Sequence, residues 1–359
     1  MKKLGVSVFT GMEQSVEENI KYLKLAESFG FSKLFTSLHI PEANYRSFLS
    51  DCRNVLDAAR NLGFEVTADV SPRSWEMLGI KPAALRSWGL HTLRADFGFS
   101  PEKLLQLADD TQLHIEVNAS SMTENELTEL LLTDIDRSQL CAGHNYYPRC
   151  DTGLSFELFF RRSQCFKAVE IPVSAFIPCL QHPRGPMFAG LPTIEAHRRM
   201  NVVESVRQFW ASGMVDAVLF GDPLASAQEM EAVAALPREI PDPLVCRVAA
   251  GELTQGEGTV LWASKHTNRV DAAGDVIRSQ ESRGMCNLEI LPQTHPQLRR
   301  RGSITIDNAQ YGRYAGELQI TLQDLPADER VNVVGRIIDE DLCLLTCIAP
   351  GRKFCLKEV

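Results

Sequence analysis

Three short segments carry acidic residues at alternate positions of an otherwise apolar run. They are Phe64-Glu-Val-Thr-Ala-Asp-Val70, Thr92-Leu-Arg-Ala-Asp-Phe97 and His114-Ile-Glu-Val-Asn-Ala119. In an extended chain successive side chains point to opposite faces. Phe64, Val66, Ala68 and Val70 then share one face, and Glu65, Thr67 and Asp69 share the other. By the same parity Arg94 falls with Asp96. Ile115 and Val117 pack to one side, so Glu116 and Asn118 point the opposite way. Asp69, Asp96 and Glu116 thus form a crowded acidic set with a single arginine, Arg94, among them. Burying an unpaired charge is costly, and one guanidinium cannot neutralise three carboxylates. Crowded carboxylates shift each other's pKa values, which suits general acid and base chemistry. The purely structural alternative is an ion network in which Arg94 pairs with Glu116 or Asp96.

Other candidates stand at the ends of further apolar runs. Gly143-His-Asn-Tyr-Tyr-Pro-Arg149 offers His144, Asn145 and Tyr147 for hydroxyl groups and Arg149 for an anion. The stretch 182–199 offers Arg184, Arg198 and Arg199, with Thr193 as the expected cap of a helix beginning at Glu195. His39 and Glu42 are weaker rim candidates, and Asp222 reads as the cap of the next helix. Near the C-terminus Arg278, Arg283 and Arg313 could meet a charged ligand, and Tyr311-Gly-Arg-Tyr314 reads as a turn between strands. No H-E-x-x-H, P-loop or G-x-S-x-G pattern occurs, so zincin, nucleotide-hydrolase and lipase mechanisms have no support. The ten cysteines form no C-x-x-C pair, which points to free thiols and no metal site.

The elements that must position these residues alternate in a regular rhythm. Eight strand-like runs appear at Leu4–Thr10, Lys33–Ile40, Phe64–Val70, Thr92–Phe99, Leu113–Ser120, Cys141–Pro148, Ala168–Ile177 and Ala217–Pro223. Helix openings fall between them. Ser15 with Glu18, Thr123 with Glu126, and Ser226 with Glu229 have capping-box spacing. Ser100-Pro101 places proline where its missing donor costs nothing. Eight strand–helix units predict a parallel (β/α)8 TIM barrel over residues 1–236, whose active site lies at the C-terminal ends of the strands. An open doubly wound sheet would announce itself by a glycine-rich first turn, and only one glycine stands there. Three prolines within residues 237–243 mark a linker, taken as 237–244. Short β-type runs at Leu244–Ala249, Ser303–Ile306, Gly316–Thr321 and Val331–Ile338 make residues 245–359 a small β-rich domain.

Composition narrows the partners. Lys and Arg number 37 against 46 Asp and Glu, a net charge of −9, so no basic footprint for nucleic acid exists. No apolar run is long enough to span a bilayer, and MKKLGVSVFTGMEQ reads as a first strand, not a signal peptide. A cytoplasmic protein without membrane contact is the expectation, and self-association into a homo-oligomer stays open.

Several blocks together resemble a known family: LGVSVFT, TADVSP, LRADFGF, HIEVNASS, GHNYYPR followed by TGL, GLPTIEAHR, YGRYAGELQI and ERVNVVG. The chain resembles the bacterial 6-phospho-N-acetylmuramidase family, long labelled outer surface protein, over essentially its whole length. The resemblance implies a TIM barrel followed by a cyclophilin-like β-barrel domain, with no prolyl isomerase activity following from that fold. It also implies a cytoplasmic, cofactor-free glycosidase that cleaves N-acetylmuramic acid 6-phosphate–N-acetylglucosamine after phosphotransferase uptake. The substrate would be a phosphorylated muropeptide-derived sugar met in peptidoglycan recycling. Most glycosidases use two carboxyl groups about the scissile bond. Asp69 and Asp96 are the expected working pair, with Glu116 as positioning group or substitute acid. Substrate contacts are expected from Arg94, Asn118, His144, Asn145 and Tyr147. Arg149, Arg184, Arg198 and Arg278 are the candidates for the phosphate and lactyl carboxylate. Two other classes remain: a barrel lyase or isomerase acting on a phosphosugar, with one acid as base, and a non-catalytic sugar-binding protein.

Overall fold

The first 240 residues alternate β-branched or aromatic runs with amphipathic, well-capped segments, and they fold accordingly. The computed structural model describes residues 2–38, 48–71, 79, 81–239 and 241–359. His39 and Glu42 therefore lie outside the described residues. The chain divides into two compact units, Met1–Glu239 and Ile240–Val359.

In the first unit eight strands follow one another: β1 (Lys3–Ser7), β2 (Lys33–Ser37), β3 (Glu65–Val70), β4 (Thr92–Ala95), β5 (His114–Asn118), β6 (Leu140–Gly143), β7 (Val173–Ile177) and β8 (Ala217–Phe220). They close in chain order into a parallel barrel, with β8 pairing back onto β1. This is the TIM barrel that the strand–helix rhythm predicts. Leu4, Val6, Val66, Ala68, Leu93, Ile115 and Val117 face outward and are fully buried under the helices. The strands are shorter than their apolar runs. β4 ends at Ala95 because Gly98 takes a left-handed φ of 78°, turning the chain before Phe99.

Capping explains where the helices begin. Ser15, Thr123 and Ser226 each accept from the backbone three residues on, and Glu18, Glu126 and Glu229 return the bond. Each box satisfies two N–H groups left orphaned by the helix start. Ser100 caps the helix that opens at Pro101. Thr193 does not cap the short turn Glu195–Arg199. Its hydroxyl instead accepts from Phe176 N and donates to the Asn145 carbonyl, tying the β7 loop to the β6 loop.

The second unit is a seven-stranded, nearly closed β-barrel. Its strands are β9 (Leu244–Ala250), β10 (His266–Thr267), β11 (Val276–Arg278), β12 (Ser303–Asp307), β13 (Leu318–Thr321), β14 (Val331–Ile337) and β15 (Lys353–Glu358), in the order β10-β15-β9-β14-β12-β13-β11. Only the β15–β9 pairing is parallel. The two edge strands meet through a bridge between Asn268 and Ser279, which leaves little unpaired edge. The short strands β10, β11 and the final β15 escape the sequence reading, since two of them have too few residues to show a period. All ten cysteines are free thiols. Among the described residues no helix is long and apolar enough to cross a membrane.

Candidate active site

Barrel register brings the polar set together. Asp69 on β3 stands beside Arg94 on β4, and Arg94 stands beside Glu116 on β5. Arg94 is 3% exposed and is the hub. Its Nη1 donates to Glu116 Oε1 at 2.9 Å and to the Gly143 carbonyl at 2.8 Å, and its Nη2 donates to Asn145 Oδ1 at 2.7 Å. Asp96, just past the end of β4, lies 3.7 Å from the same guanidinium. Asn118 then donates to Asp96 Oδ1 at 2.7 Å and to Asn145 Oδ1 at 3.1 Å.

One guanidinium therefore serves two carboxylates, and the third acid is resolved differently. Asp69 has Oδ1 buried with no hydrogen-bond partner, and Oδ2 only 3.5 Å from Ser37 Oγ. Burial pushes its pKa up to about 7; Arg94 opposes this, while Asp96 and Glu116 add to it. Asp69 thus holds a proton close to neutrality, as expected when like charges crowd one low-dielectric space. Asp69, Arg94, Asp96, Asn145 and Tyr146 line a cavity of about 210 Å³. Glu116 is turned away from it. Its second oxygen takes a bond from Ser174 Oγ at 3.2 Å, and it borders a separate space of about 480 Å³ lined by Lys3, Lys33 and Glu65. In TIM-barrel enzymes that N-terminal end serves stability, and active sites sit at the opposite, C-terminal end.

Gly143 makes this packing possible. A Cβ at that position would overlap Glu116 Oε1 and Arg94 Nη1. Gly143→Ala is therefore expected to destabilise the protein by about 1–3 kcal/mol, the usual range for overpacking, and to disturb Arg94. Thermal unfolding checks it; an unchanged midpoint would refute the close-packed hub.

The remaining candidates separate clearly. His144 is fully buried, its ring 3.1 Å from Ser120 Oγ and 2.8 Å from Ser163 Oγ. Burial lowers its pKa to about 3, so it is neutral, and it holds Ser120, which accepts from Asn145 N. Tyr147 contributes backbone bonds to Pro192 and Arg198. Its neighbour Tyr146 lines the cavity instead, edge-on to Phe9, Phe35 and Phe176 with ring centres 5.3–6.2 Å away. Sequence parity stops at the end of β6, so no periodic signal could have chosen Tyr146 over Tyr147.

The arginines also sort themselves. Arg198 spends its guanidinium on Glu195 and on the carbonyls of Tyr147, Arg149, Ala189 and Gly190. Arg149 is exposed. In the second unit Arg278 and Arg283 grip the buried carboxylate of Glu317. Arg184 lies over the Phe9 ring at 4.3 Å and over Tyr146 at 5.6 Å, with Nε buried and unbonded and no carboxylate paired to it among the described residues. Asp222 does not cap the helix Ala227–Ala234; Ser226 does. The Asp222 carboxylate instead accepts from the backbone N–H groups of Cys179, Arg184 and Leu191, lacing down the loop that carries Arg184. Among the described residues no three His, Cys, Asp or Glu side chains converge as metal ligands.

The comparisons agree with this architecture. The family model described as 6-phospho-N-acetylmuramidase, N-terminal, matches residues 4–235, and its C-terminal counterpart matches residues 247–357. An uncharacterised protein from B. cereus has a crystal structure similar over 99% of both chains, at 30% identity and a TM-score of 0.74. A conserved protein of unknown function from Enterococcus faecalis is 34% identical, over 99% of this chain and 96% of its own, with a TM-score of 0.60. No curated protein matches the chain. Matched through both units and along nearly its full length, the chain belongs to the 6-phospho-N-acetylmuramidase family of glycoside hydrolases.

Proposed function

We propose that the protein hydrolyses the glycosidic bond of N-acetylmuramic acid 6-phosphate–N-acetylglucosamine, with Asp69 as general acid and Asp96 as its partner carboxylate. The observation that carries this reading is the pair itself. One acid is kept protonated near neutrality and the other is ion-paired with Arg94, and both face one cavity. Glycoside cleavage uses two carboxyl groups in different roles, and a carboxyl held protonated near neutrality suits the acid. Asp69 would give its proton to the departing glycosidic oxygen. Asp96 would stabilise the positive charge that develops at the anomeric carbon and direct the attacking group. Arg94 and Asn118 hold Asp96 in place, and Glu116 fixes Arg94 from behind. Arg184 is the favoured phosphate ligand, because its guanidinium lies over Tyr146 at the cavity and forms no ion pair with a carboxylate among the described residues. Ten free thiols fit a reducing cytoplasm, where the phosphorylated disaccharide would be met.

Release of free N-acetylglucosamine from the phosphorylated disaccharide is the direct test. A phosphosugar converted with its glycosidic bond intact would favour the lyase or isomerase reading. The pH dependence adds a second readout. With Asp69 as acid, kcat/KM should fall about tenfold per pH unit above about 7. Stability has the same sign. The folded protein holds a proton that the unfolded chain releases near pH 4, so this contribution is full below about 4 and is lost as pH rises to about 7. Asp69→Asn should remove that slope. A rate that keeps rising with pH to 9 would exclude Asp69 as the acid.

A further inference from the structure

Beside the catalytic cavity lies a second one, of about 290 Å³, bounded by residues of the loops after β1, β7 and β8. The two are linked through one stacked pair. Arg184 lines the second cavity while its guanidinium lies over Tyr146, which lines the first. At about 290 Å³ the second cavity lies at the lower end of ordinary small-molecule sites.

The wall of the second cavity is held under strain. Phe188 has a φ of 50° and Leu224 one of 59°, and both line it. Bulky residues rarely take positive φ. Such strain persists where the surroundings over-determine it, and it gathers at ligand sites. Here Phe188 N donates to the Arg184 carbonyl at 3.1 Å, while Asp222 clamps the loop at Arg184 and Leu191. The result is a phenyl ring left 60% exposed to water. Gly185 lets the ring and a carboxylate converge: a Cβ there would stand 3.0 Å from Phe188 Cζ and 3.4 Å from Glu13 Oε1. Gln14, Gln181 and His182 complete the polar lining. Its lining carries one arginine, Arg184, on the side of the Asp69 cavity, and one carboxylate, Glu13, so the lining has no excess of either sign. An aromatic platform ringed by two amides and a carboxylate matches a neutral pyranose. Its apolar face can cover the ring while its hydroxyl and acetamido groups meet the polar rim.

We propose that this second cavity is the subsite for the neutral amino sugar released on cleavage. Phe188 is its stacking platform, and Glu13, Gln14 and Gln181 are its hydrogen-bonding partners. The proposal rests on the glycosidase reading, in which the phosphorylated ring occupies the Asp69 cavity. Two separate probes test it on the full chain by NMR titration: free N-acetylglucosamine, and N-acetylmuramic acid 6-phosphate. Phe188→Ala should weaken N-acetylglucosamine about tenfold, the ordinary effect of truncating an aromatic contact, and change the phosphosugar by less than about twofold. Gln181→Ala, at an exposed position that the fold does not need, should weaken the same probe by a smaller factor. Equal weakening of both probes, no weakening by either variant, or no binding of N-acetylglucosamine to the unaltered protein overturns the subsite. Phe188-dependent binding of N-acetylglucosamine without any binding of the phosphosugar supports the subsite and sinks the phosphosugar reading instead.

Discussion

Asp69→Asn is expected to lower kcat by at least about 10²-fold, because general acid catalysis contributes roughly 10²–10⁴. Asp96→Asn should lose at least as much, yet the two losses should differ in kind. A glycoside whose aglycone leaves without a proton, such as a nitrophenyl 6-phosphosugar, needs no acid for its departure. It should recover much of the rate in Asp69→Asn and little in Asp96→Asn. The stability effects should also diverge. Asn at position 69 needs no proton and removes a crowded acid, so the thermal midpoint should hold or rise above pH 7. Asn at position 96 leaves Arg94 with one carboxylate in place of two, and removing a partner from a buried charge is destabilising. Steady-state kinetics of both variants on both substrates decide the matter. Turnover at the unaltered rate in both variants would refute the pair, and equal rescue by the activated aglycone would refute the division of roles.

Removing the 6-phosphate from the disaccharide should lower kcat/KM by roughly 10²–10⁴. A phosphomonoester on an arginine gains charge-assisted hydrogen bonds worth about 1.5–3 kcal/mol each, and two of them give about 3–6 kcal/mol of transition-state binding. The same energy should vanish when the protein partner is removed. Arg184→Ala is expected to cost about 10²–10³ on the phosphorylated substrate and much less on its dephosphorylated analogue. The cycle formed by the two changes isolates the contact itself. Arg184→Lys should recover only part of the loss, because an ammonium cannot lie flat over Phe9 and Tyr146 or present a fork. Equal kcat/KM with and without the phosphate, at sub-saturating concentration, would leave glycoside hydrolysis standing but defeat phosphate recognition. A large phosphate preference that survives in Arg184→Ala would point to a different cation.

The acids themselves were legible before any fold. Glu116 and Asn118 alternate with Ile115 and Val117, Arg94 and Asp96 flank Ala95, and Asp69 lies between Ala68 and Val70. A period of two in apolar residues fixes which side chains face the helices, and that information is carried by immediate neighbours. The barrel was legible for the same reason, since caps such as Ser15 and Ser226 and the strand–helix rhythm are local signals. What each acid does was not legible. Whether Arg94 favours Glu116 or leaves Asp69 unpartnered depends on register between strands, and these residues are 22 and 25 positions apart in the chain. The loops offered still less. Arg184, Arg198 and Arg149 look alike in sequence, yet one lies half-buried over two aromatic rings, one is consumed by a carboxylate and four carbonyls, and one is exposed. Loop segments have no period, so only the closed barrel, by bringing the ends of β1, β6, β7 and β8 together, decided which arginine lies over Tyr146 and that Tyr146, not Tyr147, lines the cavity. The sequence by itself determined the barrel and its inward acids. The tertiary structure decided their protonation and their partners, because desolvation and charge pairing arise from neighbours distant along the chain.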